Sequence, residues 1–288
     1  MNGLPFTKME GCGNDFVVVY RHELPPGAGP NLASTLCDRS TGIGADGVLV
    51  IDFGPSLAEA DKAAGALARM TVWNADGSIA EMCGNGLRCV VRRIDEDVQL
   101  GAGPDLASGS AKIQTGAGLM PVQLIGDAIQ VAAGRPQFPE GKALRTVAWR
   151  GHPLRGLVVS MGNPHFVLFD NDLPTGLPDL TTWGPEIEID SAFPDRTNVE
   201  WIRLDDDVPQ RLQMRVWERG VGETQACGSG ACASAVASRV LGYNQDGTIE
   251  VILPGGVLQV DWSGREGDLA YIKGPATTVF AGQWKGKL

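Results

Sequence analysis

Two cysteines stand out by what surrounds them. Cys83 opens Cys83-Gly84-Asn85-Gly86, Cys227 opens Cys227-Gly228-Ser229-Gly230, and each motif runs into a segment that reads as a helix. A thiol just before a helix lies beside unpaired backbone N–H groups and the positive end of the helix dipole, which favours an anion. The thiol pKa is therefore expected to fall from about 8.5, leaving some thiolate near neutrality. The glycines behind each sulfur would let a substrate carboxylate approach the same amides. Two such thiols on opposite faces of one carbon make an acid–base pair. One removes an α-proton, the other delivers a proton to the opposite face, and the carbon is inverted. Amide donors aimed at the carboxylate would stabilise the developing charge, so neither pyridoxal phosphate nor a metal is obligatory.

Other chemistries fit less well. Structural zinc sites favour cysteine pairs two to four residues apart. Five residues separate Cys83 from Cys89 and four separate Cys227 from Cys232, and the second member of each pair falls a turn or more into its helix. No metal site is expected, and Cys12, Cys37, Cys89 and Cys232 read as buried core thiols. Only three histidines are present, His22, His152 and His165. The run Gly42-Ile43-Gly44-Ala45-Asp46-Gly47 fits the dinucleotide pattern, but it precedes a β-like run instead of following a strand. It reads as a tight loop entering a strand. There is no phosphate-binding lysine loop and no nucleophilic serine elbow.

The elements that must position the two thiols are mostly short strands, expected over 16–20, 48–53, 70–73, 120–125, 129–133, 166–169, 213–217, 249–253 and 257–262. Asp246-Gly247 and Pro254-Gly255-Gly256 read as turns between the late ones. In the first helix Leu87, Val90, Val91 and Ile94 recur at helical spacing. The second, over 231–241, is rich in small residues and suited to burial, with Gly242 as its stop. A third helix is expected over 57–68 as a surface excursion, and 101–110 reads as a loop.

The halves echo each other. Gly13-Asn14-Asp15-Phe16-Val17 resembles Gly162-Asn163-Pro164-His165-Phe166-Val167 with one residue inserted. Trp73 precedes Cys83 by ten residues and Trp217 precedes Cys227 by ten, and the two cysteines are 144 apart in a chain of 288. Two similar domains are expected, facing each other across one cleft. The chain has 34 acidic and 24 basic residues, a formal net charge of -10. That balance argues against nucleic acid as a partner. No apolar run is long enough for a membrane span, and the first residues lack a signal-peptide pattern. A cytoplasmic protein with reduced cysteines is expected.

The motifs GCGNDF (11–16), GIGADG (42–47), NADGSIAEMCGNGLR (74–88), GNPH (162–165) and ERGVGETQACGSGACA (218–233), with a weaker echo in LPGG (253–256), resemble those of the diaminopimelate epimerase family, in family order over about residues 6 to 282. The resemblance implies a cofactor-independent epimerase that converts LL-2,6-diaminopimelate to the meso isomer, in lysine and peptidoglycan-precursor synthesis. It carries over Cys83 and Cys227 as the catalytic pair. Asn14, Asn74, Asn163, Asn198 and Arg219, with Glu218, match substrate contacts suited to a doubly zwitterionic diacid. Gly84, Asn85, Gly228 and Ser229 match the carboxylate cradle, and His165 and Glu218 match residues that tune the thiols. Glu10 departs from the family, standing where many relatives carry histidine, and Gly47 offers no side chain where some place a glutamine. The implied fold is α+β: two similar domains, each a curved, mostly antiparallel sheet wrapped round a central helix. The domains are expected at 1–132 plus 274–288, and at 133–273. Family members are commonly homodimers, and Phe280 corresponds to an interface position. The alternatives are a same-fold epimerase of another amino acid and, from a different class, a thiol redox or zinc-binding protein.

Overall fold

The computed structural model describes residues 3–101, 109–139, 141–244 and 247–286. Most of the loop expected at 101–110, and Asp246 of the expected turn, lie outside them. The fold is α+β, and the chain forms two compact units, Met1–Val131 with Gly274–Leu288, and Ala132–Lys273.

The first unit begins with strands β1 (Leu4–Gly11), β2 (Asn14–Tyr20), β3 (Gly47–Phe53), β4 (Ala68–Asn74), β5 (Ile79–Ala80), β6 (Ser110–Thr115), β7 (Gly118–Ile125) and β8 (Ala128–Gly134), the last of which carries the chain out of it. Its helices are α1 (Leu32–Cys37), α2 (Glu59–Ala63) and α3 (Gly84–Gln99). The second unit holds β9 (Leu144–Trp149), β10 (His152–Ser160), β11 (Pro164–Phe169), β12 (Asn198–Leu204), β13 (Arg211–Glu218), β14 (Gly222–Glu223), β15 (Ile249–Leu253), β16 (Gly256–Asp261) and β17 (Ala270–Gly274), with helices α4 (Leu180–Glu188) and α5 (Gly228–Val240). The closing strand β18 (Thr277–Trp284) pairs antiparallel with β1, inside the first unit.

The two units repeat one pattern. In the first, β18 pairs with β1, β1 with β2 and β3 with β4 antiparallel, while β2 runs parallel to β3 and β4 to β6. In the second, β9–β10, β10–β11 and β12–β13 are antiparallel, while β11–β12 and β13–β15 are parallel. A small hairpin strand, β5 or β14, follows the same turn in each. Each parallel step needs a crossover, and α1 and α4 supply part of the first one in each unit.

Alternation along the strands explains why so many runs are apolar throughout. Val17, Val19, Val48 and Val50 pack with Leu36 of α1 on one face of β2–β3. Phe16, Val18, Leu49 and Ile51 fall on the other face and are also buried. In the second unit Phe166, Leu168 and Val199 pack with Leu180, Trp183 and Ile187 of α4. This leaves His165, Val167, Asn198 and Glu200 on the face toward α5. Strands β10 to β13, β15 and β16 all pack on α5, whose residues from Ala231 to Ser238 are buried, so only small side chains fit.

Three expectations are corrected. The helix expected over 57–68 shrinks to the five residues of α2; Gly65 turns the chain with φ 79°, and Ala68 already belongs to β4. Leu57 and Asp61 in it are buried, the latter paired with Arg69 at 2.6 Å, so the segment is not simply a surface excursion. Helix α5 begins at Gly228, three residues before the expected start, because Cys227 caps a first turn that Gly-Ser-Gly propensity disfavours. Short or non-alternating elements, among them β1, β9, β12, α1 and α4, were not expected at all. The expected stop of α5 matches, with Gly242 at φ 81°, and Pro254-Gly255 turns β15 into β16.

Candidate active site

Cys83 is the N-cap of α3 and Cys227 the N-cap of α5, both with extended backbone (φ -140°, ψ 113° and φ -124°, ψ 109°). Each sulfur accepts the N–H of the third residue on, Gly86 or Gly230, at 3.4 Å. Each carbonyl accepts from the fourth, Leu87 at 2.8 Å or Ala231 at 2.9 Å. The N–H groups of Gly84 and Asn85, and of Gly228 and Ser229, thus belong to the first helical turn, where helix geometry offers them no acceptor. These cradles suit a carboxylate. Among the described residues no group of three or more His, Cys, Asp or Glu side chains is placed to hold a metal ion.

Beside Cys83 lie the Asn14 and Asn85 amides, and the buried Arg88 donates to Asn85 Oδ1 at 3.0 Å. A two-residue turn, Cys12 at φ 55° and Gly13 at φ 82°, joins β1 to β2 and sets Asn14. Glu10 accepts the Gly13 N–H at 2.9 Å, so the family departure at Glu10 serves this turn. Asn14 Oδ1 lies 3.8 Å from Cys83 Sγ and accepts from Asn85 Nδ2 at 3.3 Å, while its Nδ2 donates to Asp46 at 2.7 Å. Asp46, in the glycine loop, was not singled out from the sequence. It also pairs with Arg39 at 2.8 Å. Asn74 ends β4, and its side chain donates to Ser78 at 2.8 Å. Gly47 has a structural reason: a Cβ there would lie 2.8 Å from the Trp73 carbonyl.

Around Cys227 a chain of side chains runs from Ser229 through Asn163 and His165 to Glu200. Ser229 Oγ is 3.5 Å from the sulfur and accepts from Asn163 Nδ2 at 3.4 Å. Asn163 Oδ1 is 3.0 Å from His165 Nε2, and His165 Nδ1 is 2.6 Å from Glu200 Oε1. Glu218, bonded by Thr224 and by the Cys227 thiol, is pushed up from the ordinary carboxylate range, chiefly by burial. Asn198 makes two bonds to the backbone: it donates to the Pro164 carbonyl at 2.8 Å and accepts the Arg219 N–H at 2.9 Å. It ties the Asn163 turn to the Glu218–Arg219 corner. Arg219 is exposed, and its guanidinium donates to the Asp195 carbonyl at 2.9 Å.

The expected lowering of the thiol does not hold at Cys227. Burial pushes that thiol well above its ordinary value, and the Glu218 and Glu200 carboxylates push the same way. The Ser229 hydroxyl and the Gly230 amide oppose this and are outweighed. Glu200 and Thr224 were missed in the sequence. The only available signal for Glu200 was a carboxylate in the run Asn198-Val199-Glu200-Trp201-Ile202, which reads equally as a solvent-facing position.

A family model described as diaminopimelate epimerase matches residues 6–139 and 157–279. The chain is 40% identical over 294 residues to a diaminopimelate epimerase of Trichodesmium erythraeum (strain IMS101), covering 96% of this chain and 98% of that one. It is 41% identical over 295 residues to one of Moorella thermoacetica (strain ATCC 39073 / JCM 9320), covering 97% and 98%. Among solved structures, a hydroxyproline epimerase from Agrobacterium vitis is similar with a TM-score of 0.70 at 15% identity, covering 99% of this chain and 94% of that one. A PhzF-family phenazine biosynthesis protein of Bacillus anthracis is similar with a TM-score of 0.68 at 16% identity, covering 98% and 99%. At that identity the structural likeness speaks for the fold.

Proposed function

We propose that this chain, which belongs to the diaminopimelate epimerase family, inverts one α-carbon of LL-2,6-diaminopimelate with Cys83 and Cys227 as its acid–base pair. It is an isomerase, an amino-acid epimerase, and its product is the meso isomer used in lysine and peptidoglycan-precursor synthesis. The observation that carries the two-thiol reading is the repeated one: each sulfur caps a helix whose first-turn amides can hold a carboxylate. No cofactor is assigned to the reaction.

In the forward step one thiolate takes the α-proton and becomes a thiol. The electron pair left on carbon delocalises into the carboxylate, where helix-end amides stabilise it. The other thiol gives its proton to the opposite face of the carbon and becomes a thiolate. Asn14, Asn74, Asn163, Asn198 and Arg219 serve as substrate contacts, with Glu218 beside Cys227. Gly84, Asn85, Gly228 and Ser229 form the two carboxylate cradles. Asn198 also holds the Asn163 turn and the Arg219 backbone together. His165 and Glu218 set the proton balance of Cys227. The two units are assigned as a Cys83 domain and a Cys227 domain.

The partner is the small diacid itself. A second copy of the chain suits β18, where Val279 and Phe280 are 53% and 48% exposed. A reducing compartment suits chemistry that needs free thiols, which supports a cytoplasmic location.

The test is conversion by purified, reduced protein, with LL-diaminopimelate offered beside proline, hydroxyproline and histidine, and stereochemistry read by chiral chromatography. Meso-diaminopimelate should form, and alkylation of the protein should stop it. Inversion of another amino acid with diaminopimelate untouched would overturn the substrate assignment.

A further inference from the structure

The side chains beside Cys83 form one hydrogen-bonded chain. Arg88 donates to Asn85 Oδ1 at 3.0 Å, Asn85 Nδ2 donates to Asn14 Oδ1 at 3.3 Å, and Asn14 Nδ2 donates to Asp46 Oδ2 at 2.7 Å. An amide can turn either end to a neighbour, its oxygen accepting or its nitrogen donating. The two ends of this chain have no such choice, because a guanidinium only donates and a carboxylate only accepts. Turning Asn85 over would set an NH2 group against Arg88. Turning Asn14 over would set its oxygen against the Asp46 carboxylate.

Both ends are themselves held. Arg88 is 0% exposed, and it also donates to the Gly84 carbonyl at 3.4 Å, the Pro275 carbonyl at 3.0 Å and Cys12 Sγ at 3.8 Å. Gly11 leaves room for it, since a Cβ there would lie 3.2 Å from Arg88 Nη2. None of these partners is a carboxylate, and a cation buried among neutral acceptors is costly. At the other end, the Asp46 oxygen that takes Asn14 also takes the Asp15 N–H at 3.1 Å. Its second oxygen takes Arg39 at 2.8 Å.

The second unit has neither end. Phe16 pairs with Gly47 across β2–β3 as His165 pairs with Asn198 across β11–β12, so Asn14 corresponds to Asn163 and Asp46 to Thr197. Thr197 donates to the Asn198 carbonyl at 2.9 Å. The position five residues past the cap, Arg88 in α3, is Cys232 in α5. Asn163 stands between Ser229 and His165, and a hydroxyl and an imidazole can each donate or accept. Its orientation follows the protons on those neighbours, whereas that of Asn14 is set by fixed charges. Packing alone therefore does not call for Arg88 and Asp46, since the same fold is built without them.

We propose that Arg88 and Asp46 are positioning residues that lock the Asn85 and Asn14 amides in one orientation, with Asn14 Oδ1 held as an acceptor 3.8 Å from Cys83 Sγ. The proposal rests on the reading above that Asn14 touches substrate. Substrate then meets amides already turned the right way, and none of its binding energy goes into turning them. Neither Arg88 nor Asp46 has to touch substrate for this. Each acts through the asparagine it holds.

The test reads the amides by NMR, without substrate, in the full chain carrying isotope-labelled asparagine. The side-chain signals of Asn14 and Asn85 are assigned from Asn14→Ala and Asn85→Ala. Asp46→Ala should move the Asn14 signal upfield and speed its exchange with water. Arg88→Lys, which keeps the cation but loses the fork, should move that of Asn85. In kinetics with LL-diaminopimelate, Asp46→Ala should lower kcat/KM by about tenfold, mostly through KM. Asp46→Asn should recover most of that loss, because its oxygen can still accept from Asn14 Nδ2 and the Asp15 N–H. Should either Asp46→Ala or Arg88→Lys fail to fold, the wild-type spectrum decides: one proton of each amide should exchange more slowly than its twin. Equal, fast exchange of both protons, signals unmoved in the variants, or an Asp46→Asn no better than Asp46→Ala would overturn the proposal. The spectra need no turnover, so the expected signals in a chain inert toward LL-diaminopimelate would sink the function and spare this assignment. Turnover with unmoved signals would do the reverse.

Discussion

Helices α3 and α5 start alike and continue differently. Both have a cysteine N-cap and two first-turn amides to which helix geometry offers no acceptor, yet α3 is amphipathic, burying Leu87, Val90, Val91 and Ile94. Its polar side carries Arg92–Asp95 and Arg93–Asp97 pairs at 3.2 and 2.8 Å. Helix α5 is sealed by sheet and filled with alanine, serine and Cys232. The proposed chemistry uses only the first turn, so the remaining turns can differ with their surroundings. What differs within the first turn is the backing: Leu49 behind Gly86, and Glu200 behind Gly230.

The largest expected effect removes what the helices share. Cys83→Ala and Cys227→Ala should each cut epimerisation by at least about 10³-fold in both directions, measured by chiral chromatography from LL and from meso substrate. Near-normal turnover in either variant would end the symmetric pairing of the two caps. Each variant is still expected to exchange a proton on the one face it serves.

A sharper comparison uses the backing residues. Gly230→Ala forces its new methyl against Glu200 and, at 3.0 Å, against Met214 Cε. It should lower kcat/KM by roughly tenfold, about 1.4 kcal/mol of transition-state stabilisation. Gly86→Ala meets the Leu49 methyls instead, so its cost should appear in unfolding free energy, about 1–3 kcal/mol for overpacking. Urea melts and kinetics on both variants would separate these costs. Equal kinetic losses would show that the backing does not matter.

The smallest effect lies farther from the sulfurs. Burial would raise the Asp15 carboxyl, but bonds from Arg39 and Lys8 prevail and hold it at about 2. Its register counterpart in the second unit is Pro164, which has nothing to titrate. Because the folded pKa lies below the unfolded value of about 3.9, this contribution is complete above about pH 4 and is lost as pH falls through about 2. The wild-type chain should lose about 2 kcal/mol over that window from this group, and Asp15→Asn should flatten that part of the profile. An unchanged acid limb in the variant would remove Asp15 from the account.

Much of this arrangement was legible because chain-local signals wrote it. Cysteine–glycine motifs before helical spacing marked both caps, and apolar runs such as Val48-Leu49-Val50-Ile51 marked strands buried on both faces. The duplicated order was visible in Trp73–Cys83 and Trp217–Cys227. Tertiary effects stayed hidden. A run of alanines over 57–68 has helical propensity, but Gly65 and the pull of β4 confine the helix to α2. Helix α4 holds Pro185 and is short, so propensity speaks against it, and packing of Trp183 and Leu180 on β11–β12 supplies what propensity lacks. Glu200 could not be assigned to a face until the register of β12 was known, and the rise of the Cys227 thiol depends on that face.

The central claim is that each unit contributes one thiol and that each thiol serves its own face of the substrate. It is tested most directly by early turnover of LL-diaminopimelate in deuterated water, with NMR and mass readout of both recovered substrate and product. A thiol carries a single exchangeable proton, so two separate thiols should place deuterium at the α-carbon of the meso product while recovered substrate stays protonated. Deuterium appearing equally in recovered LL substrate and in product would mean that one group serves both faces, and would contradict the account.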